Sequence, residues 1–250
     1  MIQPKISIIT VTYNSAKTIK DTIESVLSQT YKNIEHIVID GNSTDGTQEI
    51  IRSYPKIKMI SENDNGIYDA MNKGIEFASG EVVGFLNSDD MFNSEDCINL
   101  IASEFVKDYK IDIVYGNIVL VKESNVNKVI RYKKSKEHKK NAIFNGWMAP
   151  HPSLYVKIDI LKRLKGFNTK FKISADFELM IRLFEVEKLN SKYINKTLAR
   201  QRVGGASTKF SNIFASNLEA SKACKSNGYP GGTVFIIKKL LSRIPEFFIR

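Results

Sequence analysis

The chain has 250 residues, 42% of them hydrophobic and 26% charged, which is typical of a globular protein and excludes collagen-like or wholly disordered structure. A chain of this length buries roughly 70–75% of its unfolded surface, so its core needs no disulfide or metal to be stable. The formal net charge is +10, but only 8 of the 37 basic residues are arginine and no basic helix with interleaved aromatic residues is present, which argues against nucleic-acid binding.

The first ninety residues alternate between short β-branched segments and amphipathic helical patterns, which is typical of β-α-β units. Crossover connections in such units are right-handed, so the loops that follow the strands collect at one edge of an open sheet, where ligands bind. The predicted strands are residues 6–12, 34–39, 56–60 and 82–86, and the predicted helices are residues 16–28, 45–54 and 65–79.

After residue 90 the alternation weakens, and the pattern resembles an α+β arrangement. We interpret the lysine-rich residues 133–140 as a solvated loop. The tail holds two helical patterns separated by residues 227–232. The remaining predicted elements are helices at residues 94–105 and 173–187 and strands at residues 111–115, 118–121 and 193–200.

The basic residues are concentrated in the second part of the chain. Residues 1–90 carry 8 basic and 13 acidic side chains, whereas residues 91–250 carry 29 and 14. With nucleic acid disfavoured, a membrane surface or an anionic substrate remains as a partner for this positive charge.

The cysteines and the apolar segments give expectations about the compartment. Cys97 and Cys224 are too few for a disulfide framework, so we expect buried thiols in a reducing cytoplasmic setting. Residues 1–11 lack the pattern of a secretory signal, and the apolar residues 233–237 are far fewer than the ~18 that a membrane span requires.

Polar clusters follow three of the predicted strands: Thr12 and Tyr13 end the first, residues 40–45 end the second and residues 87–90 end the fourth. In a doubly wound sheet these ends form one crevice, which predicts a nucleotide with its base near Asp40 and its phosphates near residue 89. A nicotinamide cofactor is not expected, because no GxGxxG turn follows the first strand.

Asp89 and Asp90 would repel a diphosphate unless a cation lay between them. Hard oxygen ligands completed by substrate phosphates suit Mg²⁺ or Mn²⁺, which would also stabilise a diphosphate leaving group. The alternative is structural, because the sequence Asn-Ser-Asp-Asp at residues 87–90 is also good turn and N-cap chemistry.

Several motifs in order resemble those of the family 2 glycosyltransferases. They are Ser-Ile-Ile-Thr-Val-Thr-Tyr-Asn (7–14), Ser-Val-Leu-Ser-Gln-Thr-Tyr (25–31), Ile-Asp-Gly-Asn-Ser-Thr-Asp-Gly-Thr (39–47), Asp-Asn-Gly-Ile-Tyr-Asp-Ala-Met-Asn-Lys-Gly (64–74), Ala-Ser-Gly-Glu (78–81), Leu-Asn-Ser-Asp-Asp (86–90), His-Pro-Ser (151–153) and Ile-Ser-Ala-Asp (173–176). The resemblance covers residues 5 to about 205.

This resemblance implies a GT-A fold, that is, an open mixed α/β sheet flanked by helices, a nucleotide-sugar donor, usually a UDP-sugar, and inversion at the anomeric carbon. Asp89 matches the metal-binding last position of the family's DxD motif, whose first position is Asn87 in this chain and not aspartate. Asp40 would accept a hydrogen bond from the base. The other implied donor-binding residues are Thr12, Tyr13, Asp64, Asp69, Asn72, Asn87 and Ser88.

Asp176 matches the family's catalytic base. Inversion by direct displacement needs a group that takes the proton of the acceptor hydroxyl, and an aspartate is ionised at pH 7. The alternative is a helix N-cap formed by Ser174 or Asp176. His151 and Arg202 are further candidates for contact with the diphosphate or the acceptor, and Trp147 is a candidate for stacking on a sugar, with core packing as its alternative.

These observations predict a catalytic domain at residues 1–207, with a nucleotide-sugar half (1–90) and an acceptor half (91–207), followed by a basic amphipathic tail at residues 208–250. The predicted activity is transfer of one sugar to a growing, lipid-linked surface glycan by an enzyme in the cytoplasm. The alternative is a catalytically silent nucleotide-sugar or carbohydrate-binding module.

The tail either packs on the catalytic domain or lies on an anionic membrane surface. Lys238, Lys239 and Arg243 would flank its apolar face. The apolar residues are Val234, Phe235, Ile236, Ile237, Leu240, Leu241, Ile244, Phe247 and Phe248.

Overall fold

The computed structural model describes residues 3–203 and 210–242. The strands are β1 (Ile6–Thr12), β2 (Ile34–Asp40), β3 (Lys58–Ser61), β4 (Val82–Phe85), β5 (Met91–Phe92), β6 (Ile113–Lys122), β7 (Asn125–Lys133), β8 (Tyr155–Lys157) and β9 (Ser191–Val203). They form one mixed sheet in the order β3-β2-β1-β4-β8-β6-β9-β5, with β7 paired to β6. The predicted open mixed sheet is confirmed.

Helices flank this sheet. They are α1 (Ile19–Leu27), α2 (Thr47–Arg52), α3 (Ile67–Phe77), α4 (Cys97–Lys107), α5 (Ile158–Arg163), α6 (Ala175–Met180), α7 (Phe210–Ser226) and α8 (Thr233–Leu241), with 3₁₀ turns at Ile143–Asn145 and His151–Ser153. Among the described residues, no helix is both long enough and apolar enough to cross a membrane.

The first half of the chain forms the parallel part of the sheet, as predicted. All seven residues of β1 are buried, and β1 pairs in parallel with β2 and β4. A strand that is covered on both faces has a continuous apolar sequence and not alternating apolar and polar residues. This is why β1 could be predicted from the sequence. The carboxyl ends of β1, β2 and β4 therefore lie at the same edge.

The second half differs from its predicted form at β6, which is one strand and not two separate ones at 111–115 and 118–121. Its register shifts around Gly116, where an added Cβ would lie 2.7 Å from the side chain of Leu198. At this point β6 also changes partner: Val114 pairs with β8, whereas Ile118 pairs with β7. The glycine interrupts the β-branched pattern without ending the strand.

Four elements were not predicted: β5, β7, β8 and α5. The strands β5 and β8 have only two and three residues, too few for a periodic signal. The nine residues of β7 are exposed or half-buried and largely polar, so they lack the apolar run of a central strand. Lys133 accordingly ends a strand, while the rest of the predicted lysine-rich loop follows it.

The predicted helix at residues 173–187 begins as α6 and continues as a π-helical segment, Ile181–Val186. The guanidinium group of Arg182 binds Glu178 one turn earlier (2.7 Å) and donates to the carbonyl oxygens of Leu164 and Gly166. This buried ion pair anchors the loop after α5 to the helix.

The tail packs on the rest of the molecule. Ala220 and Ala223 of α7 and Phe235 of α8 belong to the main hydrophobic core. Lys239, predicted to flank an exposed apolar face, is instead 4% exposed, and its Nζ lies 4.9 Å from the ring of Phe177. The prediction was wrong for this residue because the helix turns that face inward.

The other face of α8 remains in contact with solvent. Val234, Ile237 and Leu241 are 68%, 50% and 56% exposed, respectively. The apolar residues of the tail thus divide between two faces. Arg243, Ile244, Phe247 and Phe248, which the sequence placed on the same helix, lie outside the described residues.

Candidate active site

The loops after β1, β2 and β4 meet at the carboxyl edge of the sheet, as predicted. The amide of Asn14 donates to the hydroxyl of Ser43 (2.8 Å), and the hydroxyls of Ser15 and Ser88 lie 2.9 Å apart. The loop after β1 is therefore bonded to both of the others, and the three loops line one crevice. Ser88 lines it as part of this contact.

Tyr13 and Asp64 face each other across Gly41 in this crevice. A Cβ at Gly41 would lie 2.6 Å from Asp64 Oδ2 and 3.4 Å from the Tyr13 ring, so only glycine allows this approach. The Tyr13 side chain is 66% exposed, which leaves its ring face open to a planar ligand. The hydroxyl of the preceding residue, Thr12, is buried and has no hydrogen-bond partner among the described residues.

Asp40 lies at the end of β2 and is fully buried. Its carboxylate accepts hydrogen bonds from the amide and hydroxyl of Ser43 and from the hydroxyl of Ser61 (2.7 Å). These bonds fix the loop after β2 to the end of β3. The predicted contact with a nucleotide base would need this loop to open, and it stays a prediction.

Asp69 and Asn72 lie on α3. Asp69 accepts the amide of Asn65 (2.9 Å) and so closes the turn that begins the helix. The Asn72 side chain bonds both the carbonyl oxygen and the amide of Phe167 (2.9 and 2.7 Å). Asn72 therefore fastens α3 to the loop after α5, and its amide is already occupied by this backbone.

The turn after β4 carries Asn87, Asp89 and Asp90. Burial raises the pKa of Asp89, and it raises the pKa of the wholly enclosed Asp90 further, with the charge of Asp89 adding to the effect. Asn87 Oδ1 and Asp90 Oδ1 are buried and have no hydrogen-bond partner among the described residues. The positive charge of Arg202 opposes both shifts, but its guanidinium group bonds the backbone of Asp89 and the carboxylate of Asp21, so the turn presents oxygen atoms that can bind a cation.

This donor set fits a hard divalent cation, for which carboxylate and amide oxygens are the usual protein ligands. No group of three or more histidine, cysteine, aspartate or glutamate side chains in the described ranges is arranged to hold a metal alone. A cation at Asp89 and Asn87 would thus need further oxygen ligands from a substrate, as Mg²⁺ and Mn²⁺ commonly take from phosphates.

Arg202, predicted as a candidate phosphate ligand, supports the turn from behind. It is 7% exposed; its Nη1 donates to the carbonyl oxygen of Asp89 (2.8 Å), and its Nη2 bonds the carboxylate of Asp21 on α1. The guanidinium group thus ties β9 and α1 to the backbone of Asp89. The pairing with Asp21 could not be predicted from a sequence motif, because the two residues are 181 positions apart.

Asp176 lies in the first turn of α6. Its Oδ1 accepts the amide of Phe177 (2.8 Å) and lies 3.2 Å from the hydroxyl of Tyr68, which is also 2.8 Å from the carbonyl oxygen of Ile173. Tyr68 was missed as a site residue, although it stands within the motif at residues 64–74. The predicted alternative, a cap at Ser174, is not formed through its side chain.

His151 lies close to both carboxylate regions, the turn after β4 and the first turn of α6 with Asp176. Its ring stacks on Phe85 at the end of β4 (centroids 5.5 Å apart), and its buried Nε2 has no hydrogen-bond partner among the described residues. Burial lowers the pKa of His151, Asp176 opposes this shift and Lys133 adds to it. The ring is therefore neutral at pH 7 and lies within electrostatic range of Asp176.

Trp147 is 8% exposed and packs edge-to-face against Tyr115 and Phe184, with centroids 5.7 and 5.2 Å apart. Its position agrees with the core-packing alternative. Its indole N–H is buried and has no partner among the described residues.

The tail supports the segment before Asp176. The carboxylate of Glu219 on α7 accepts the backbone amides of Lys172, Ile173 and Ser174 at 2.8–3.0 Å. Three consecutive amides on one carboxylate hold this segment in a fixed conformation. No sequence pattern indicated the contact, since the partners are 45 to 47 residues apart.

Comparison with solved structures identifies the fold. The chain resembles TarS of S. aureus in complex with UDP-GlcNAc (TM-score 0.66, 18% identity, 96% of this chain and 73% of that chain). It is equally similar to the mannosyltransferase PcManGT from Pyrobaculum calidifontis in complex with GDP-Man and Mn²⁺ (TM-score 0.66, 17% identity, 96% and 69%). The fold is that of the GT-A glycosyltransferases.

The family follows from the sequence. Residues 7–171 match the model of Glycosyl transferase family 2, and the chain belongs to this family of enzymes. A chondroitin synthase of Pasteurella multocida is 28% identical over 218 residues, which are 84% of this chain but 22% of the synthase. A PGL/p-HBAD biosynthesis glycosyltransferase of Mycobacterium bovis is 26% identical over 204 residues (80% of this chain and 77% of the relative).

Proposed function

We propose that the protein transfers one sugar from a UDP-sugar to a hydroxyl of a growing, lipid-linked surface glycan, with inversion at the anomeric carbon, on the cytoplasmic side of the membrane. The observation that carries this proposal is the crevice at the carboxyl edge, where burial raises the pKa of Asp89 and Asp90 although the charge of Arg202 opposes the rise. The ion pair of Arg202 is with Asp21, so the two carboxylates remain available to a cation. The similarity to TarS, whose structures contain UDP and UDP-GlcNAc, favours uracil as the base.

On this proposal, the exposed ring of Tyr13 stacks on the nucleoside, and Thr12, Asp64 and Ser88 line the pocket around it. Asp40 shapes the floor through its bonds to Ser43 and Ser61, and it contacts the base only if the loop after β2 opens. Residues 1–90 form the donor half and residues 91–207 the acceptor half.

A divalent cation, Mn²⁺ or Mg²⁺, bound at this site supplies positive charge that stabilises the diphosphate as it leaves. Asp89 and Asn87 would hold it, and Arg202 keeps the backbone of Asp89 in place for this purpose. PcManGT, which shares the fold, is found with Mn²⁺. In the same site, the neutral His151 excludes water above Phe85 without adding charge.

Asp176 is the proposed base. Its carboxylate takes the proton of the acceptor hydroxyl while that oxygen attacks the anomeric carbon and the bond to the nucleoside diphosphate breaks. Tyr68 orients the carboxylate, because its hydroxyl lies 3.2 Å from Oδ1. Burial and the charge of Asp176 raise the pKa of Tyr68, so its hydroxyl keeps its proton and remains a donor.

We expect Tyr68→Phe to lower kcat by about 3–10-fold, the effect of one lost hydrogen bond, with the KM for the donor unchanged. The phenylalanine ring retains the stacking on Phe167 (5.5 Å). Since the Asp176 carboxylate loses a donor that orients it, the loss should appear in kcat and not in donor binding. An unchanged kcat would restrict Tyr68 to a packing role.

The function is tested by incubating the full chain with UDP-sugars, Mn²⁺ and acceptor glycans, and by following release of UDP together with the anomeric configuration of the product by NMR. Inversion and acceptor-dependent release support the proposal. Retention of configuration contradicts it, and binding of UDP-sugar without release under all conditions identifies a catalytically silent module.

The exposed face of α8 supports membrane association. The side chains of Val234, Ile237 and Leu241 are at least half exposed, and Lys238 lies on the same helix. Insertion of such a face combines with attraction of basic residues to anionic lipid. We therefore propose that the enzyme lies on the membrane beside its lipid-linked acceptor.

We expect the full chain to sediment with anionic vesicles, less so as salt rises, and the triple variant Val234→Ser, Ile237→Ser, Leu241→Ser to lose most of this binding. These positions are solvent-exposed, so the fold is retained. The matched control is Phe77→Ser, an exposed phenylalanine (39%) on α3. Equal sedimentation of the wild type and the triple variant contradicts the proposal.

A further inference from the structure

The most basic part of the chain lies beside the proposed active site. Residues 128–140, here called the basic segment, contain seven lysine or arginine side chains and one acidic side chain, Glu137. Within the described ranges, the side chains of Lys128, Lys134, Lys136, Lys139 and Lys140 form no ion pair and are exposed. Their charge is therefore available to a ligand.

The hairpin of β6 and β7 places this segment along the crevice. Val121 of β6 pairs with Val129 of β7 on one side and with Arg202 of β9 on the other, and Arg202 donates to the carbonyl oxygen of Asp89 (2.8 Å). Arg200 of β9 donates to the carbonyl oxygen of Val126 (3.1 Å). The start of the basic segment therefore lies two strands from the residue that bonds the backbone of Asp89.

The loop after β7 is held firmly. The amide of Ser135 donates to Asn117 Oδ1 (2.8 Å), and the Tyr115 hydroxyl bonds the backbone of residues 136 and 138 (3.0 and 2.8 Å). The buried carboxylate of Glu185 bonds His138 Nε2 (3.1 Å). The backbone is fixed while the lysine side chains between these contacts point into solvent, which is the arrangement of a preformed charged surface.

This charged surface is longer than the diphosphate of a nucleotide. At ~3.3 Å per residue, the five steps from Lys128 to Lys133 alone span roughly 17 Å, and four further lysines follow in the loop. A diphosphate is a compact anion that one or two cations can neutralise. Cations spread over this distance match an extended ligand with repeated negative charges.

We infer that the basic segment binds the acceptor glycan and that this acceptor is polyanionic, with carboxylate or phosphodiester groups repeated along its chain. This inference rests on the proposed function and specifies its acceptor. The segment begins near the turn that carries Asp89 and runs away from it along β7, so a bound chain would lie along the segment with its growing end in the crevice. Neutral glycans would lack this attraction.

Binding of fluorescent oligomers to the full chain tests the inference. The probes are an oligosaccharide of alternating uronic acid and N-acetylhexosamine, its uncharged carboxyl-reduced form, and an oligomer of glycerol phosphate. We expect at least one anionic probe to bind, with affinity falling between about 0.05 and 0.5 M salt, and roughly 10-fold weaker binding of the reduced form. The two anionic probes distinguish a carboxylate from a phosphate acceptor.

The triple variant Lys136→Gln, Lys139→Gln, Lys140→Gln should weaken this binding roughly 10-fold, while the same three positions changed to arginine should retain it. The matched control is Lys56→Gln, Lys110→Gln, Lys192→Gln, three exposed lysines at the opposite edge of the sheet, where β3, β6 and β9 begin. This control should bind within 2-fold of the wild type.

UDP-sugar binding is measured on the same samples, and its absence in the wild type contradicts the proposed function. With UDP-sugar binding intact, the inference is overturned by equal affinity for the charged and reduced oligosaccharides, or by an equal loss in the opposite-edge control. Binding of anionic vesicles through residues 136, 139 and 140, without binding of either anionic oligomer, also overturns it in favour of a membrane contact.

Discussion

Asp176→Asn is expected to lower turnover by about 10²–10⁴-fold and to leave UDP-sugar binding unchanged. The reason is that an amide cannot take the proton of the acceptor hydroxyl, and loss of a general base costs this much. The shape of the site is preserved, because Oδ1 of asparagine still accepts from the amide of Phe177 and from Tyr68. Turnover under saturating donor and isothermal titration with UDP measure the two effects.

Asp159→Asn provides a matched control. Asp159 is also in the first turn of a helix, α5, and its Oδ1 accepts the amide of the next residue, Ile160, at 2.9 Å. It is exposed and follows β8, away from the crevice. Its substitution should leave turnover within 2-fold of the wild type. Wild-type turnover in Asp176→Asn would assign the base to another residue.

Asp89→Asn is expected to abolish the extra stabilisation that UDP gives in the presence of Mn²⁺. A ligand at about 100 times its Kd stabilises the folded state by about 2.7 kcal/mol, or roughly 5–10 °C in Tm for a chain of this size. The metal-dependent part of that shift should disappear, because the buried carboxylate that would hold the cation has been replaced. A UDP-induced shift that is the same with and without Mn²⁺ in the wild type contradicts the metal site.

The same substitution should raise the Tm of the ligand-free protein at pH 7. Burial raises the pKa of Asp89 above 3.8, so ionisation is disfavoured in the folded state. This cost is absent at pH values below the ordinary pKa, develops as pH rises from the ordinary pKa to the raised one, and is fully present above the raised pKa. Asparagine removes it. Asp108→Asn, at an exposed position before β6, should show neither effect.

The sequence predicted the parallel half of the fold well because its signals are local. β1 to β4 are β-branched runs separated by amphipathic helices, and the polar residues after each strand converge wherever parallel strands share an edge. β7 was missed because an exposed edge strand carries polar residues on both faces, and its pairing with β6 is itself irregular, with register shifts on both sides of Val121.

The orientation of individual side chains was less predictable than their position. Asp40 and Asn72 lie where the sequence placed them, but Asp40 is enclosed by Ser43 and Ser61, and Asn72 is bonded to Phe167. Each partner comes from a different element of the chain. Such contacts depend on how strands and helices assemble, and no short motif contains that information.

The contact of Glu219 with three amides before Asp176 limits how this enzyme can be shortened or recombined. A fragment that ends after β9 would keep every motif of the catalytic domain, yet the amides of residues 172–174 would lose their common acceptor. Chimeras that exchange acceptor specificity between relatives would therefore need to transfer α7 together with the segment at residues 172–176. Because Phe235 of α8 belongs to the main hydrophobic core, foreign sequence is best joined after α8.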